Sequence, residues 1–344
     1  MATMLDVSRR AGVSKSTVSR VLNGTAKISE ATREAVFKAI EELNYRPNVL
    51  AQSLSKQQTN TIGLVIPRGS NTSQYLALLI EICQELADKA GKFLMITQVN
   101  DQQDGAVQSI RALVDRRCDA VLYYNNSFFD QYNVNGDTLS DLIDELPVPL
   151  VVMNCYLPRH PDRCVWFDHV HGARMPVDYL IEQGHSKIAY IAGPLNQRTS
   201  QLRLEGYENA LKDAGLSVDS LLIVEGDRYY SGGYSACNQL LQRTRDFTAI
   251  CCFNDLTAVG VLRALQEHQI SVPEQVSLIG FDNEVILDYL TPSISSMQLS
   301  AHAFVTHAMN VLLAKLNDSE APVAAASSFT GDLVLRQSVK SLRI

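Results

Sequence analysis

The 344-residue sequence lacks several features that would assign it to common classes of protein. No apolar run approaches the roughly 20 residues that a membrane-spanning helix needs, and Met1-Ala2-Thr3 leads into charged residues instead of the apolar segment of a signal peptide. The seven cysteines form no C-x-x-C pair, so buried thiols are favoured over disulfides or zinc ligands. We therefore expect a soluble, cytoplasmic protein that has no contact with a membrane.

Catalytic and phosphate-binding motifs are also missing. The sequence contains no P-loop, no G-x-G-x-x-G, no H-E-x-x-H and no G-x-S-x-G. His302 and His307 lie five residues apart on a predicted helix, and His169 and His171 flank a predicted helix start, so all four are interpreted as surface or capping residues. Since no nucleophile, base and orienting group come together, we predict no catalytic site, no cofactor and no metal.

Charge is distributed unevenly along the chain. The net charge is −7, yet residues 1–60 contain nine Lys and Arg against five Asp and Glu, which leaves +4 there and −11 in the remainder. A basic head is attracted to a nucleic-acid duplex while an acidic body is repelled, so this division predicts DNA binding that depends strongly on salt.

Residues 4–24, MLDVSRRAGVSKSTVSRVLNG, predict a helix-turn-helix. Thr3 and Asp6 have capping-box spacing, Gly12 permits the positive φ that ends a helix, and Ser14 can cap the second helix. Two short helices joined by a glycine turn also occur in ordinary helical proteins, but the AGVS turn and the TVSRVLN run favour DNA recognition. The candidate DNA contacts on the second helix are Ser14, Lys15, Ser16, Thr17, Ser19, Arg20 and Asn23.

A third helix, capped by Ser29, follows with apolar residues at helical spacing. Those apolar residues are Val36, Phe37, Ile40 and Leu43. Pro47 ends this headpiece, and Asn48 can cap a short segment, VLAQSLS, that is too short to be a stable helix alone.

From residue 59 the texture changes to short apolar runs that alternate with helical stretches. TIGLVIP, FLMITQV, DAVLYY and PLVVMN read as buried parallel strands, and KIAYIAG, LLIVEGD, TAICCFN and VSLIGFD repeat the pattern. Two successive arrays of this kind predict an α/β body of two doubly wound parallel lobes that face each other across a cleft, with ligand bound at the carboxyl ends of the strands.

The string DVSRRAGVSKSTVSRVLN resembles the DVAxxAGVSxxTVSRVLN pattern of the LacI/GalR family of bacterial transcriptional regulators, with Ser8 at the usual alanine. The motifs LIEQGHSKIAYIAG, RLEGYENAL, FNDLTAVG and VPEQVSLIGFDN extend the similarity over about residues 3–338. The string GVSKSTVSRVL is similar to that of family members that govern β-glucoside use.

This resemblance implies a helix-turn-helix headpiece at 1–46, a hinge helix or linker at 47–58, and an effector-binding and dimerisation domain with the fold of periplasmic binding proteins at 59–344. The chain would cross between the lobes three times. Lobe 1 would comprise about 59–160 and 293–320, and lobe 2 about 161–292 and 321–338. The late helix at about 300–317 would belong to lobe 1, and strand 329–335 to lobe 2.

In the hinge helix, the resemblance implies that Leu54 is a wedge inserted into the DNA minor groove, with Asn48, Ala51 and Ser53 at flanking positions. From spacing alone, Leu54 could equally pack within a linker.

For the effector site, the resemblance implies that Arg203 and Asp282 contact the ligand. Further candidates at strand ends are Asn154, Trp166, Asp168, Asn254 and Asp255. Each has a structural alternative: a buried ion pair for Arg203 and Asp282, a helix cap for Asn254 and Asp255, and simple core for Trp166. Where family members often place an aromatic ring, this chain has Arg228, which favours a phosphorylated or acidic effector unless the side chain points to solvent.

The expected function is therefore that of a homodimeric transcription factor. It would bind double-stranded, pseudo-palindromic operator DNA, most readily as the repressor of a sugar-utilisation operon, under allosteric control by a small sugar or sugar phosphate. The sequence SVKSLRI after the last strand contains no leucine heptads, which favours a dimer over a tetramer. The alternatives are a solute-binding protein without DNA function and a sugar-converting enzyme.

Overall fold

The computed structural model describes residues 2–23, 28–45, 59–67, 74–99, 104–125, 136–317 and 327–343. These residues divide into two compact units, Met1–Thr59 and Asn60–Ile344. The predicted hinge helix at 47–58 lies outside the described residues.

The first unit is a headpiece of short helices around a small core. Its helices are α1 (Met4–Ala11), α2 (Lys15–Asn23) and α3 (Glu30–Glu42). The predicted capping box is present, because the Thr3 hydroxyl accepts from the Asp6 N–H and the Asp6 carboxylate accepts from the Thr3 N–H. The buried residues of this core are Val7, Val18, Val21, Val36, Ala39 and Tyr45.

Helical spacing overstated which apolar residues of the headpiece are buried. Phe37, predicted to lie on the inner face of α3, is 51% exposed, and Leu5 on α1 is exposed as well. A core this small covers only a narrow stripe of each helix, so an apolar residue at the edge of that stripe remains in contact with solvent.

The second unit, which we call the body, contains two sheets. The first has the order β11-β5-β4-β3-β1-β2, and its pairings are all parallel. Its strands are β1 (Thr61–Ile66), β2 (Phe93–Gln98), β3 (Ala120–Tyr124), β4 (Leu150–Met153), β5 (Cys164–Phe167) and β11 (Ser327–Phe329).

The second sheet has the order β12-β10-β9-β8-β6-β7 and is parallel except for the antiparallel pair of β10 and β12. Its strands are β6 (Ile188–Ala192), β7 (Ile223–Glu225), β8 (Ala249–Cys252), β9 (Ser277–Phe281), β10 (Ser295–Leu299) and β12 (Gly331–Val334).

Helices cover both faces of each sheet, as parallel sheets require. The helices are α4 (Gln74–Lys89), α5 (Gly105–Asp115), α6 (Gly136–Glu145), α7 (His169–Glu182), α8 (Arg198–Asp213), α9 (Tyr230–Arg243), α10 (Asp255–Glu267) and α11 (Ala301–Leu316). On the first sheet, α4 and α11 pack on one face and α5 and α6 on the other. On the second sheet, α9 and α10 pack opposite α7 and α8.

Sheet membership corrects the predicted lobe boundaries at three places. β5, at 164–167, pairs in the first sheet although lobe 2 was expected to begin at 161, and β10, at 295–299, pairs in the second although 293–320 was assigned to lobe 1. The strand expected at 329–335 is two strands, because β11 joins the first sheet and β12 the second. Strand pairing decides these boundaries, and hydrophobic periodicity contains no information about which partner a strand finds.

β2 was predicted to be a buried strand, and this is wrong. It is an edge strand of the first sheet, where Phe93 is 68% exposed and Ile96 also faces solvent. An apolar run shows the residue types of a strand but does not show whether a second neighbour covers it.

The two sheets meet at one shared apolar cluster. Phe281, Met297 and Leu299 of the second sheet pack in the same cluster as Phe167 and Phe304 of the first sheet and its covering helix. The carboxyl ends of strands from both sheets therefore lie close together.

The thiols are reduced and mostly inside. All seven cysteines are free, six of them are buried, and Cys155 is half-buried. Burial raises the pKa of Cys83 and of Cys237 to about 12, so these thiols stay protonated near neutral pH. Among the described helices, none is long and apolar enough to cross a membrane.

Candidate functional site

The helix α2 begins directly after a capping serine. The Ser14 hydroxyl accepts a hydrogen bond from the Thr17 N–H at 3.0 Å, which satisfies a donor left open at the helix start. Val18 of α2 is fully buried, whereas Lys15 at the start of the helix and Arg20 are exposed. α2 therefore presents a polar, basic face to solvent.

The turn before α2 depends on a glycine in the left-handed region and on a side-chain hydrogen bond. Gly12 has a φ of 67°, in the left-handed region that glycine adopts without strain. The Ser8 hydroxyl donates a hydrogen bond to the Val13 carbonyl at 2.8 Å, so the serine at the family's usual alanine position fastens α1 to the turn. This bond fixes the angle at which α2 leaves the turn.

The candidate DNA contacts fall into three groups. Ser14, Lys15, Ser16 and Arg20 are exposed, Thr17 and Ser19 are half-buried, and Asn23 ends α2. The predicted hinge contacts Asn48, Ala51 and Leu54 lie outside the described residues.

In the body, Arg203 is a buried cation of the candidate effector site. It lies on α8, is 4% exposed, and donates through Nη1 to the Phe253 carbonyl and through Nη2 to Asp282 Oδ1 at 3.4 Å. The guanidinium carbon lies 3.5 Å from the centre of the Phe281 ring and 4.8 Å from that of Phe253. Two aromatic rings and two acceptors therefore fix this cation in one orientation.

Asp282 directly follows β9, at the carboxyl end of that strand in the second sheet. Its φ of 109° lies in the region that favours glycine, so its backbone is strained, as is common at ligand sites. Burial raises the pKa of Asp282, and the neighbouring Arg203 opposes that rise. The predicted pair of Arg203 and Asp282 is thus brought together, with the aspartate partly accessible at the end of its strand.

On the first sheet, Asn154 and His169 form a second polar group. Asn154 follows β4, donates through Nδ2 to the Asn125 carbonyl at 3.2 Å, and places Oδ1 3.1 Å from His169 Nε2. His169 is buried, so its interpretation as a surface or capping residue was wrong. Burial, assisted by the charge of Arg203, holds the pKa of His169 well below its usual value.

Aromatic side chains at the same strand ends complete the cluster. The ring of Phe167 lies 6.2 Å from that of Tyr75 and 6.1 Å from that of His169, and Tyr75 lies 6.5 Å from Tyr124. Burial raises the pKa of Tyr75 well above its usual value, and Tyr124 and Asp282 raise it further. Tyr75 and Asp282 line the same cavity, so the two sheets face each other here.

A cavity of about 530 Å³ adjoins this cluster. Its lining includes Tyr75 and Asp282, together with residues at the start of α4 and of α11. Beside it, the Val285 N–H donates to Gln74 Oε1 at 3.1 Å, and the Gln74 N–H donates to Glu284 Oε1 at 3.3 Å. These bonds join the first and second lobes next to the candidate site.

Two predicted effector residues are used as helix caps. Asp168 Oδ1 accepts from the His171 N–H at 2.8 Å at the start of α7, and Asn254 Oδ1 accepts from the Thr257 N–H at 2.9 Å at the start of α10. For Asn254, whose Nδ2 also donates to the Arg228 carbonyl, the capping alternative accounts for the side chain.

Asp255 is fully buried within the second lobe. Its carboxylate accepts from the Glu284 N–H at 2.7 Å and from the Ser296 hydroxyl at 2.6 Å. Burial raises its pKa well above the usual value, and Asp282 adds to this effect. Asp255 therefore holds the 282–284 segment in place from behind.

Trp166 and Arg228 each contact a neighbouring tyrosine. The Trp166 ring lies 4.7 Å from that of Tyr156, and its side chain packs in the cluster on the opposite face of the first sheet from Phe167. The Arg228 guanidinium lies 5.2 Å from the Tyr229 ring centre, at half-buried exposure. Alternation along β5 thus directs Phe167, and not Trp166, toward the Arg203 cluster.

Sequence reasoning missed Tyr75, Tyr124, Asn125, Phe167 and His169. The rule that ligands bind at the carboxyl ends of parallel strands would have found Asn125, since it directly follows β3. β5 itself was not predicted, so Phe167 and His169 carried no such signal. Among the described residues, no group of His, Cys, Asp and Glu is arranged to hold a metal ion.

Comparisons with known proteins agree with both units. The model of bacterial regulatory proteins of the lacI family matches residues 3–48, and that of the periplasmic binding protein-like domain matches residues 177–339. The HTH-type transcriptional regulator AscG of Escherichia coli is 35% identical over 339 residues, which are 98% of this chain and 98% of that protein.

Solved structures give the same result. A sugar-binding transcriptional regulator from Escherichia coli, complexed with phosphate, has a TM-score of 0.75 at 31% identity, covering 83% of this chain and 99% of that one. The regulator CelR in complex with cellobiose has 0.71 at 28%, covering 98% and 100%. The lac repressor dimer bound to operator and the anti-inducer ONPF has 0.84 at 25%, covering 98% of each chain.

Identity at this level over nearly the whole length, joined to a capped reading helix and a two-sheet body, assigns the fold and the function together. The chain belongs to the lacI family of bacterial regulatory proteins and is a helix-turn-helix transcriptional regulator.

Proposed function

We propose that the protein is a cytoplasmic, homodimeric repressor, that it binds a pseudo-palindromic operator, and that a small polyhydroxylated effector switches its affinity for DNA. The observation that carries this proposal is that one chain contains both an exposed basic face on α2 and a polar cluster around the buried Arg203 in the body. We infer no enzymatic activity, since the cluster holds its polar groups in place and contains no nucleophile beside a base.

In the headpiece, Lys15 and Ser16 supply base contacts from the start of α2, and Arg20 contacts a base edge or a phosphate. Hydroxyls at the helix start, together with Ser19 and Asn23, position the helix on the DNA backbone. Arg20→Ala should weaken operator binding and reduce its salt slope by about one unit.

The linker supplies the second part of DNA binding. Leu54 enters the minor groove as a wedge, with Asn48 and Ala51 against the groove walls, and the bent DNA gains contacts that offset the cost of unstacking. Leu54→Ala should lower operator affinity and reduce bending, measured by the mobility of permuted DNA fragments. Unchanged affinity and bending would refute the wedge role.

A homodimer accounts for the apolar side chains that the body leaves uncovered. In the first lobe, Leu78 on α4 is exposed, as are Phe93 and Ile96 on the edge strand β2. In the second lobe, Val285 and Tyr289 are exposed. Two copies that cover these patches would place two headpieces on one operator, as dyad-related half-sites require. Analytical ultracentrifugation should give a dimer, and a tetramer at low concentration would contradict the proposal.

The effector site comprises Arg203 and Asp282 from the second lobe and Asn154 from the first. The phosphate and cellobiose complexes of similar regulators are in keeping with a sugar or a sugar phosphate. Of the remaining candidates, Asp255 holds the 282–284 segment from behind, and Asp168 and Asn254 cap the helices α7 and α10. Trp166 packs on the opposite face of the first sheet, and Arg228 stays a candidate for contact with a charged effector. Ligand binding must favour one arrangement of the lobes, and the same coupling free energy then changes operator affinity.

The test is fluorescence-anisotropy titration of DNA from upstream of the protein's own gene, with and without sugars and sugar phosphates. Loss of DNA binding with one compound would identify an inducer, and tighter binding would identify a corepressor. No DNA binding even at low salt would overturn the proposal in favour of a solute-binding protein.

A further inference from the structure

Three buried polar atoms around the effector cluster have no hydrogen-bond partner among the described residues. They are Tyr75 Oη and His169 Nδ1 from the first lobe and Arg203 Nε from the second. Buried polar atoms nearly always have a hydrogen-bond partner, so three unpaired atoms in one cluster indicate groups whose partner is a bound ligand. Their donor and acceptor properties then constrain what that ligand presents.

The hydrogen bonds of Asn154 fix the tautomer of His169. Because Asn154 Nδ2 donates to the Asn125 carbonyl, the atom that faces His169 Nε2 at 3.1 Å is the amide oxygen Oδ1, which can only accept. Nε2 therefore carries the proton. The ring is neutral in its buried position, so Nδ1 is left as a bare acceptor.

Arg203 Nε has the opposite character. Its two Nη groups point to the Phe253 carbonyl and to Asp282, and aromatic rings lie against the plane of the guanidinium. These contacts leave the Nε–H group without a partner among the described residues, and an arginine nitrogen can only donate a hydrogen bond. A ligand that meets both unpaired atoms must donate to His169 and accept from Arg203.

We propose that His169 determines the specificity of the effector site: its Nδ1 accepts a hydrogen bond from a ligand hydroxyl, while Arg203 Nε donates to an oxygen of the same ligand. Tyr75 Oη, which can donate or accept, completes the set. A fully ionised phosphate or a carboxylate has no proton to give to Nδ1, so this subsite requires an uncharged, hydroxyl-bearing part of the ligand. The proposal rests on the effector-binding function proposed above.

The surroundings suit a sugar ring. The Phe167 ring lies 6.2 Å from the Tyr75 ring and 6.1 Å from the His169 ring, is stacked on Phe304 at 4.2 Å, and gives the polar atoms an apolar neighbour. A cavity of about 530 Å³ lies next to the cluster and is lined in part by Tyr75 and Asp282, whereas His169 and Arg203 are not among its lining residues.

Two substitutions separate the nitrogens of His169. His169→Gln places an amide at the distance of Nε2 from the backbone, so it can keep the bond to Asn154 but loses the acceptor at Nδ1. His169→Asn places its amide oxygen near the position of Nδ1 and restores an acceptor there. The matched control is His171→Gln, since His171 is exposed and contacts Asp168 only through its backbone N–H.

Isothermal titration calorimetry of the full chain with cellobiose, D-galactose, D-glucose 6-phosphate and inorganic phosphate tests the proposal. We expect the wild-type protein to bind at least one of the sugars. His169→Gln should weaken that sugar by about 10- to 100-fold, because a ligand hydroxyl then lacks its acceptor. His169→Asn should stay within about threefold of wild type, and His171→Gln should not differ.

Monodeoxy and monofluoro forms of that sugar provide a readout that a structural role would not change. One position should lose affinity in the wild type with either hydrogen or fluorine, since neither can donate, and should lose nothing further in His169→Gln. If no compound of the panel binds the wild type, the effector function itself fails and this inference fails with it. If a sugar binds wild type and His169→Gln equally, or only phosphate binds, the inference is overturned while effector binding stands.

Discussion

Removing the carboxylate of Asp282 should destabilise the body more than any surface charge change. Asp282→Asn leaves the Arg203 guanidinium 4% exposed without its anionic partner. Breaking a buried ion pair in this way costs about 3–5 kcal/mol of unfolding free energy. We expect about 3 kcal/mol, at the low end of that range, because the pair is 3.4 Å apart, Asp282 is 22% exposed, and Arg203 keeps its other contacts.

Replacing the arginine of the pair should lower the unfolding free energy less than replacing the aspartate. In Arg203→Met, the partly exposed Asp282 can take up a proton, which its burial already favours by raising its pKa. We therefore expect the variant that carries both Asp282→Asn and Arg203→Met to be no less stable than Asp282→Asn alone. The two effects on the unfolding free energy should be non-additive, with a coupling of about 2 kcal/mol between the two sites. The control is Asp246→Asn, which breaks the exposed pair with Lys187 and should leave the urea concentration at the midpoint of unfolding unchanged.

Urea unfolding followed by fluorescence is the assay, because Trp166 is the single tryptophan and lies on β5 in the body. Protein concentration must be held constant, since dimerisation adds to apparent stability. Strictly additive effects of the two substitutions, or an Asp282→Asn variant as stable as the control, would refute the view that Arg203 depends on Asp282.

Three further changes test other parts of the structure. Ser14→Ala removes the cap of α2 and should destabilise that helix by about 1 kcal/mol, seen as faster hydrogen exchange of the Thr17 amide; unchanged exchange would contradict the capping role. Gly206→Ala would place a Cβ 2.2 Å from the Val170 carbonyl oxygen, between α7 and α8, and should lower body stability by about 1–3 kcal/mol in urea unfolding. Asp255 binds its proton more tightly when folded, so its contribution to stability is present at low pH and is lost as pH rises toward its raised pKa. The stability of wild type relative to Asp255→Asn should therefore fall as the pH rises above the ordinary aspartate pKa of 3.8, by at most about 1.4 kcal/mol per pH unit; a difference that rises with pH would contradict this.

The sequence by itself determined the local structure and the class of the protein. Capping residues, the turn at Gly12 and helical spacing predicted the headpiece, because these signals depend on neighbours within a few residues. The alternating strands and helices predicted two doubly wound sheets for the same reason. The family resemblance pointed to Arg203 and Asp282, and the structure brings these two side chains into contact.

Tertiary structure decided which strands pair and which polar residues come together between the two sheets. Only strand pairing placed β5 and β11 in the first sheet and β10 in the second, and only the edge position of β2 explained its exposed Phe93. His169 and Asp255 show the same limit. A histidine after a strand looks like a capping residue until Asn154 approaches its ring, and an aspartate in a ligand motif looks like a contact until its carboxylate is seen to bind Ser296. Such roles depend on residues distant in sequence, and local patterns contain no record of them.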